Sequence, residues 1–343
     1  MYIDFAMWRT ALWSLVKINK KEEWDKLDVI SKWLIATRSA VTTVTIYSCI
    51  IAGLLAWRDG HFSFLPWLII TLGLFIAHGA NNLLNDFTDF NRGVDADNYF
   101  RTQYGVHPLV QGFWTKRQQI IWFLFSGTLA TLAGFYALFF THFDTVVIGL
   151  FAFGAFVLLT YTYPLKYLAL GEISIFLVWG PILIGGVYYV LVQSWNWQVI
   201  LAAIPFGLGV VSINIGKHID KLDMDKIKGV HTLPVVIGEK AARYLNMVSL
   251  VLMYAIILYL IFALRYFTPV MLIVFGSYKP FLYTFGVLIK PRPAKPPENF
   301  PYWPTWFSAF AFGHNRRFGI LFILGLIADV ILRIYLPTFW INT

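Results

Sequence analysis

The sequence predicts an all-α polytopic membrane protein with nine transmembrane helices. Three observations predict it. The chain of 343 residues is 58% hydrophobic and only 13% charged, where a soluble domain carries about 25% charged residues. Its mean hydropathy is +0.65, and apolar runs of about 20 residues, the length of one membrane span, recur along the whole chain. Its Lys and Arg residues fall almost entirely on one side of those runs, as loops facing the cytoplasm do.

In chain order, residues 1–33 mix Asp4, Arg9, Lys17 and Glu22 with Trp8 and Trp13. They have no short apolar core or small-residue cleavage site, so they read as an amphipathic segment lying in the membrane interface. Residues 34–343 form one helical domain. Its spans are expected near 34–57, 64–86, 119–141, 145–163, 172–193, 197–219, 244–266, 268–290 and 318–338. With the N-terminus in the cytoplasm, the inner side receives 23 of the 27 Lys and Arg, and only Arg58 and Arg265 fall in outer loops. An integral membrane protein follows, in the inner membrane if the source is bacterial. The net charge of +9 has this topological cause, and no nucleic-acid partner is expected. Inner loops are the long ones, at 87–118 and 220–243, and long loops on one face gather binding groups. Residues 291–304 carry six prolines and read as a stiff, extended cytoplasmic connector. The one cysteine, Cys49, falls within a span and reads as packing.

Two acidic stretches break the apolar pattern. The first, at 82–95, runs Asn82-Leu-Leu-Asn85-Asp86-Phe-Thr-Asp89-Phe-Asn-Arg92-Gly93-Val-Asp95. On a helix Asn82, Asp86 and Asp89 lie at i, i+4 and i+7 on one face, with Asn85 beside them. An all-oxygen cluster of this kind suits Mg²⁺, which binds through one or two carboxylates plus a substrate's phosphates. A solvated helix end needs fewer acids and amides than this. The second stretch, at 214–229, holds Asp220, Asp223 and Asp225 among Lys217, Lys221, Lys226 and Lys228. Its lysines can pair with its own aspartates, Lys221 with Asp225 for example, or hold the terminal phosphate of a substrate. Asn214, His218, Lys221 and Asp225 share a face. Two such stretches at one membrane face could grip one diphosphate through two ions.

No phosphate-binding loop, nucleophile elbow or paired-histidine zinc helix occurs, so nucleotide hydrolysis, acyl transfer and zinc chemistry have no support. Of the 31 Phe, 18 Tyr and 14 Trp, most serve lipid contact and packing. Tyr161, Tyr163, Tyr167 and Trp179 are candidates for a cavity wall, where ring faces would stabilise a carbocation. Asp329 and Arg333, at i and i+4 in the last span, neutralise each other. Lys279, inside the eighth span, has no partner in sequence. These two features are the only support for a transporter.

The motifs resemble those of the UbiA superfamily of intramembrane prenyltransferases. Asn85-Asp86-Phe-Thr-Asp89 is similar to its first acidic motif. Arg92-Gly93-Val-Asp95 resembles the branch that prenylates 1,4-dihydroxy-2-naphthoate for menaquinone. Pro108-Leu-Val-Gln-Gly112 is similar to a family loop, and Tyr161-Thr-Tyr-Pro-Leu-Lys166-Tyr-Leu-Ala-Leu-Gly171-Glu172, with Gly180-Pro181 and Tyr188-Tyr189, to the naphthoate branch. Gly229-Val-His-Thr232-Leu-Pro-Val235 matches the loop after the second motif. That second motif departs from the family pattern: Lys221 stands four residues before Asp225, where an acid is usual.

The resemblance implies nine helices around a cavity opening sideways to lipid, with cytoplasmic cap loops over both motifs. It implies Mg²⁺-dependent transfer of a polyprenyl group from a prenyl diphosphate to an aromatic acceptor, 1,4-dihydroxy-2-naphthoate in the first instance. Asp86 and Asp89 would ligate one ion, with Asn82 and Asn85 as ligands or orienters, and Asp220, Asp223 and Asp225 would serve the second. Arg92, Lys217, Lys221 and Lys228 would add charge around the diphosphate, and Tyr161, Tyr163 and Lys166 would complete the substrate site. Arg38, at the inner end of the first span, holds either an acidic acceptor or the diphosphate, or is a plain positive-inside anchor. The alternatives are another acceptor (a benzoate, a tetrapyrrole, a carotenoid or a glycerol phosphate) and a non-catalytic subunit with partners in a membrane complex.

Overall fold

A computed structural model describes residues 3–95, 100–298, 300–336 and 340 of the chain; Asn299 of the connector and most of residues 337–343 lie outside it. The described residues are helical with no strand. Eight helical segments among them are long and apolar enough to cross a bilayer. The fourth expected span is present as α7 (Thr145–Thr160), apolar but 16 residues long. At about 1.5 Å per residue it measures about 24 Å, short of the roughly 30 Å hydrocarbon core.

The N-terminal stretch folds into three short helices, α1 (Phe5–Trp13), α2 (Lys21–Asp25) and α3 (Val29–Ala36). Asp28 accepts from the backbone N–H groups of Ile30 and Ser31 at the start of α3, and from the Trp8 indole at 3.0 Å, which ties α1 to α3. Trp24 stacks on Phe113 at 5.3 Å, and Gln111 donates to the Ile18 carbonyl. Residues 7–36 and 106–114 therefore share a small core with Leu83 and Trp122, separate from the main core between the long helices.

The chain reverses at Arg38, which adopts left-handed φ = 57° between α3 and α4 (Ser39–Arg58). Helix α5 (Phe64–Asn91) has 28 residues, about 42 Å, so it overshoots a hydrocarbon core by several residues. The overshoot carries the first acidic motif out of the apolar zone. Helix α6 (Lys116–Phe140) opens on a capping box between Thr115 and Gln118. The next span joins α8 (Gly171–Leu177), a π-helical turn at Val178–Ile182 and α9 (Leu183–Val192). Pro181 has no N–H to donate, and a π turn absorbs the break in the bond ladder.

Helix α10 (Trp197–Asp220) is the most buried span. It touches the π turn where a Cβ on Gly207 would meet Gly180 Cα at 2.8 Å, and it touches the start of α15 (Phe307–Tyr335) where a Cβ on Gly216 would meet Ser308 N at 2.8 Å. Neither position has room for a side chain. After α10 come α11 (Leu222–Ile227), α12 (Leu233–Ile237), α13 (Glu239–Leu258) and α14 (Tyr278–Ile289), the last preceded by a 3-10 segment at Pro269–Ser277. Helix α15 begins well before the expected 318, because its first turns carry His314, Arg316 and Arg317 and break the apolar run. The connector is folded rather than extended. Arg292 donates to the Pro304 carbonyl and lies over the Trp303 ring at 4.2 Å, which brings the two ends of the stretch together.

Candidate active site

Both acidic motifs lie at one end of the bundle. Lys228, behind the second, donates to the Gly93 carbonyl of the first at 3.1 Å. A largely apolar cavity of about 1260 Å³ runs from this end into the bundle, between α4, α5, α6, α7, α9, α10 and α15. Arg38, Asn82, Asn85, Asn214 and Lys217 line its polar end; Phe135, Phe151, Phe153 and Leu183 are among its apolar walls.

The reversal at residue 38 aims the Arg38 guanidinium at α5. It donates to Asn82 Oδ1 at 3.1 Å and to Asp86 Oδ1 at 3.2 Å. Asn82 in turn donates to the Thr37 carbonyl at 2.8 Å. Asn85 donates to Thr162 Oγ1 at 3.0 Å, which orients its amide. Asp86 also pairs with Arg101, whose guanidinium donates to the Ala36 carbonyl at 3.2 Å. Burial pushes the Arg101 pKa down, and Asp86 works against that shift. Asp89 receives both of its bonds from Lys166, at 2.7 and 2.8 Å. Asp86, Asp89 and Lys166 are all buried. Each carboxylate thus has a built-in cation, as burial requires. Asp95 accepts from His107 Nε2 at 2.9 Å. Burial opposes its charge, but His107, Lys221 and Arg101 hold its pKa below the usual carboxylate range.

The three aspartates of the second motif do not converge. Helix α10 ends at Asp220 and the chain turns at Lys221 into α11, so they point three ways. Asp220 caps α15: its oxygens accept from Phe307 N at 2.9 Å, Ser308 N at 3.0 Å and Ser308 Oγ at 2.8 Å. Asp223 is exposed, and Asp225 pairs with Lys221 at 3.3 Å. The expected second carboxylate cage is therefore dispersed, and Asp220 serves the helix junction in its place.

The other expected residues divide. Arg38, Asn82, Asn85, Tyr161 and Lys217 line the cavity with Trp179. Arg92 lies over the Tyr163 and Tyr167 rings at 4.1 and 4.8 Å, and these three stand outside the cavity wall, as do Lys166, Lys221 and Lys228. Two groups that act here were not among the expected site residues. Arg101 is one, and no spacing rule links it to Asp86. Asn214 is the other: its buried amide nitrogen has no hydrogen-bond acceptor among the described residues, and the residue lines the polar end.

A polar end with Arg38, Lys217 and an unused amide donor suits an anion with several oxygens. The α5 face supplies oxygen donors alone, which fits a hard divalent ion in type. Among the described residues no three His, Cys, Asp or Glu converge on one point. An ion bound here would therefore draw its remaining ligands from a substrate.

Residues 46–300 match the model of the UbiA prenyltransferase family. The chain belongs to that family. It is 25% identical over 266 residues to a 1,4-dihydroxy-2-naphthoate octaprenyltransferase of Bacillus subtilis, covering 77% of this chain and 80% of the relative. It is 27% identical over 250 residues to UbiA prenyltransferase domain-containing protein 1 of Danio rerio, covering 70% and 71%. A solved UbiA homologue from Archaeoglobus fulgidus, bound to GPP and Mg²⁺, shares the fold with a TM-score of 0.57 at 15% identity, covering 87% of this chain and 99% of that one. The UbiA chain described here is accordingly an integral membrane prenyltransferase.

Proposed function

We propose that this UbiA enzyme transfers a polyprenyl group from a prenyl diphosphate to an aromatic acceptor, with 1,4-dihydroxy-2-naphthoate as that acceptor. The observation that carries the reading is the cavity itself, with a cationic and amide-lined polar end leading into long apolar walls. At about 1260 Å³ it exceeds the roughly 300–1,000 Å³ of a pocket for a drug-sized ligand, so it suits a long chain. The naphthoate assignment is supported by the 92–95 and 161–172 motifs and by the naphthoate-acting relatives from Bacillus subtilis and Escherichia coli.

Arg38, Lys217 and Asn214 bind the diphosphate, and Asn82 and Asn85 orient it. Asp86 and Asp89 would hold Mg²⁺, which when bound would supply Lewis-acid neutralisation of the departing diphosphate. Arg101 and Lys166 pair with these two carboxylates and hold them in place. As the prenyl C1–O bond breaks, its electron pair leaves with the diphosphate. An acceptor ring carbon supplies the pair for the new C–C bond and then releases the group it carried, a proton or, at the carboxyl-bearing carbon of the naphthoate, CO₂, which restores the aromatic ring and gives the prenylated naphthoquinol. The apolar walls keep water from the allylic cation.

The test is product analysis with purified protein, Mg²⁺, the naphthoate and a long-chain prenyl diphosphate. Prenylated naphthoquinol with diphosphate release is expected, with at least a hundredfold loss in Asp86→Asn. Diphosphate release without any prenylated naphthoquinol would assign another acceptor, and no release at all would favour the non-catalytic reading.

A further inference from the structure

One turn from Asn82 along α5, further into the cavity, stands His78. It lines the wall together with Thr45 of α4 and Trp179 of the π turn. The Trp179 indole Nε1 lies 2.9 Å from Thr45 Oγ1, and Thr45 Oγ1 lies 2.8 Å from His78 Nδ1. The His78 and Trp179 rings are 4.7 Å apart, tilted by 59°. The Trp179 carbonyl accepts from Ser48 Oγ at 3.1 Å, which anchors the backbone that carries the indole.

The direction of these bonds follows from the donor inventory. An indole N–H can only donate, so Thr45 Oγ1 accepts from Trp179. The hydroxyl has one hydrogen, and His78 Nδ1 is the only other partner the structure gives it among the described residues. Thr45 therefore donates to Nδ1, and in the neutral ring the proton sits on Nε2. A charged ring would stand in an apolar cavity that Arg38 also lines, with like charge facing it. No described protein group accepts from Nε2.

We infer that His78, held by Thr45 and Trp179, forms a subsite for an anionic oxygen of the aromatic acceptor. Its Nε2–H donates to a ring hydroxylate or ring carboxylate, and the Trp179 ring faces the acceptor. His78 is a donor there and not a base, because Nε2 already carries a proton and Nδ1 is engaged. The subsite places the acceptor one helical turn from Asn82, between the diphosphate end and the apolar walls. It rests on the proposed prenyl transfer to an aromatic acceptor and adds how that acceptor is oriented.

The experiment measures initial rates in lipid nanodiscs with geranyl diphosphate, Mg²⁺ and either 1,4-dihydroxy-2-naphthoate or 1,4-dihydroxynaphthalene. For His78→Phe the acceptor KM should rise about tenfold or more, the size expected for losing a hydrogen bond to a charged group, while the KM for geranyl diphosphate stays within twofold. His78→Gln, which can donate from the same place, should recover most of the loss. Thr45→Val, which leaves the imidazole but frees it, should show the same acceptor-only change. If His78→Phe does not fold, the Gln and Val variants carry the test. A loss confined to the naphthoate assigns the carboxylate to His78; an equal loss with both acceptors assigns a ring oxygen. An acceptor KM within twofold of wild type in every folded variant would overturn the inference. Failure of the wild type to prenylate either acceptor would instead overturn the proposed function.

Discussion

Asp86 shows how one residue can be asked for two things. Its burial demands a cation, which Arg38 and Arg101 supply, and the proposed chemistry demands an ionised carboxylate beside a diphosphate. Both demands are met when the arginines can be shared between the carboxylate and the substrate. Arg101→Ala should therefore do more than weaken binding: it leaves a buried carboxylate with one partner fewer, a change in the range of about 3–5 kcal/mol when a buried pair is broken outright. A thermal melt of the detergent-solubilised variant should show a clear fall in Tm, and an unchanged Tm would mean that Arg101 is dispensable to Asp86. At the other extreme of exposure, Asp28 is a half-buried cap. Burial raises its pKa, but bonds from Ser31, Trp8 and Asp4 outweigh this and bring it to about 2. A folded-state pKa below the unfolded value contributes stability above the unfolded pKa, near 3.9, that is lost as pH falls toward 2. Asp28→Ala should lower stability at pH 7 by about 0.5–2 kcal/mol, as cap loss does, and the difference from wild type should shrink below pH 4. Unfolding curves at pH 7 and pH 3 check both parts.

At the scale of elements, the junction of α10 with α15 carries the main departure from expectation. Asp220, placed by sequence among the metal ligands, satisfies the first N–H groups of α15. Asp220→Asn should therefore lower Tm while leaving the Mg²⁺ dependence of any activity within about twofold; a large rise in the Mg²⁺ requirement would return Asp220 to the metal site. Gly216→Ala, with its Cβ 2.8 Å from Ser308 N, should cost about 1–3 kcal/mol by overpacking. The first motif was legible because α5 is a single regular helix, so that i, i+4 and i+7 spacing gives a true face. The second was not, because a turn at Lys221 ends the helix inside the motif and cancels the periodicity. Arg101 and Thr162 reach the site from loops by tertiary contact alone, and no local pattern marks them.

For the whole molecule, helix positions followed from apolar runs almost throughout. The exceptions are α7, whose run is apolar but short, and α15, whose polar first turns hide its start. The folded connector at 291–304 escaped because proline content predicts stiffness and is silent on the Arg292–Trp303 stacking that turns the chain back. Asp329 and Arg333 do neutralise each other, at 3.2 Å, with Thr268 N as a second donor to Asp329. The distribution of Lys and Arg further predicts that the end carrying both motifs faces the cytoplasm. In a Cys49→Ser background, single cysteines at exposed Asp223 and Tyr302 should be labelled by a membrane-impermeant thiol reagent from the cytoplasmic side only; labelling from the opposite side would reverse the topology.

On the proposed function, the two motifs share one diphosphate at the polar end of one cavity. A structure in a lipid nanodisc with Mg²⁺ and an unreactive prenyl diphosphate analogue tests it most directly. Diphosphate density is expected in contact with Arg38, Asn82, Asn85 and Lys217, with the prenyl chain running down the cavity past Phe151. Diphosphate bound away from these four side chains, or a chain lying outside the cavity, would contradict it.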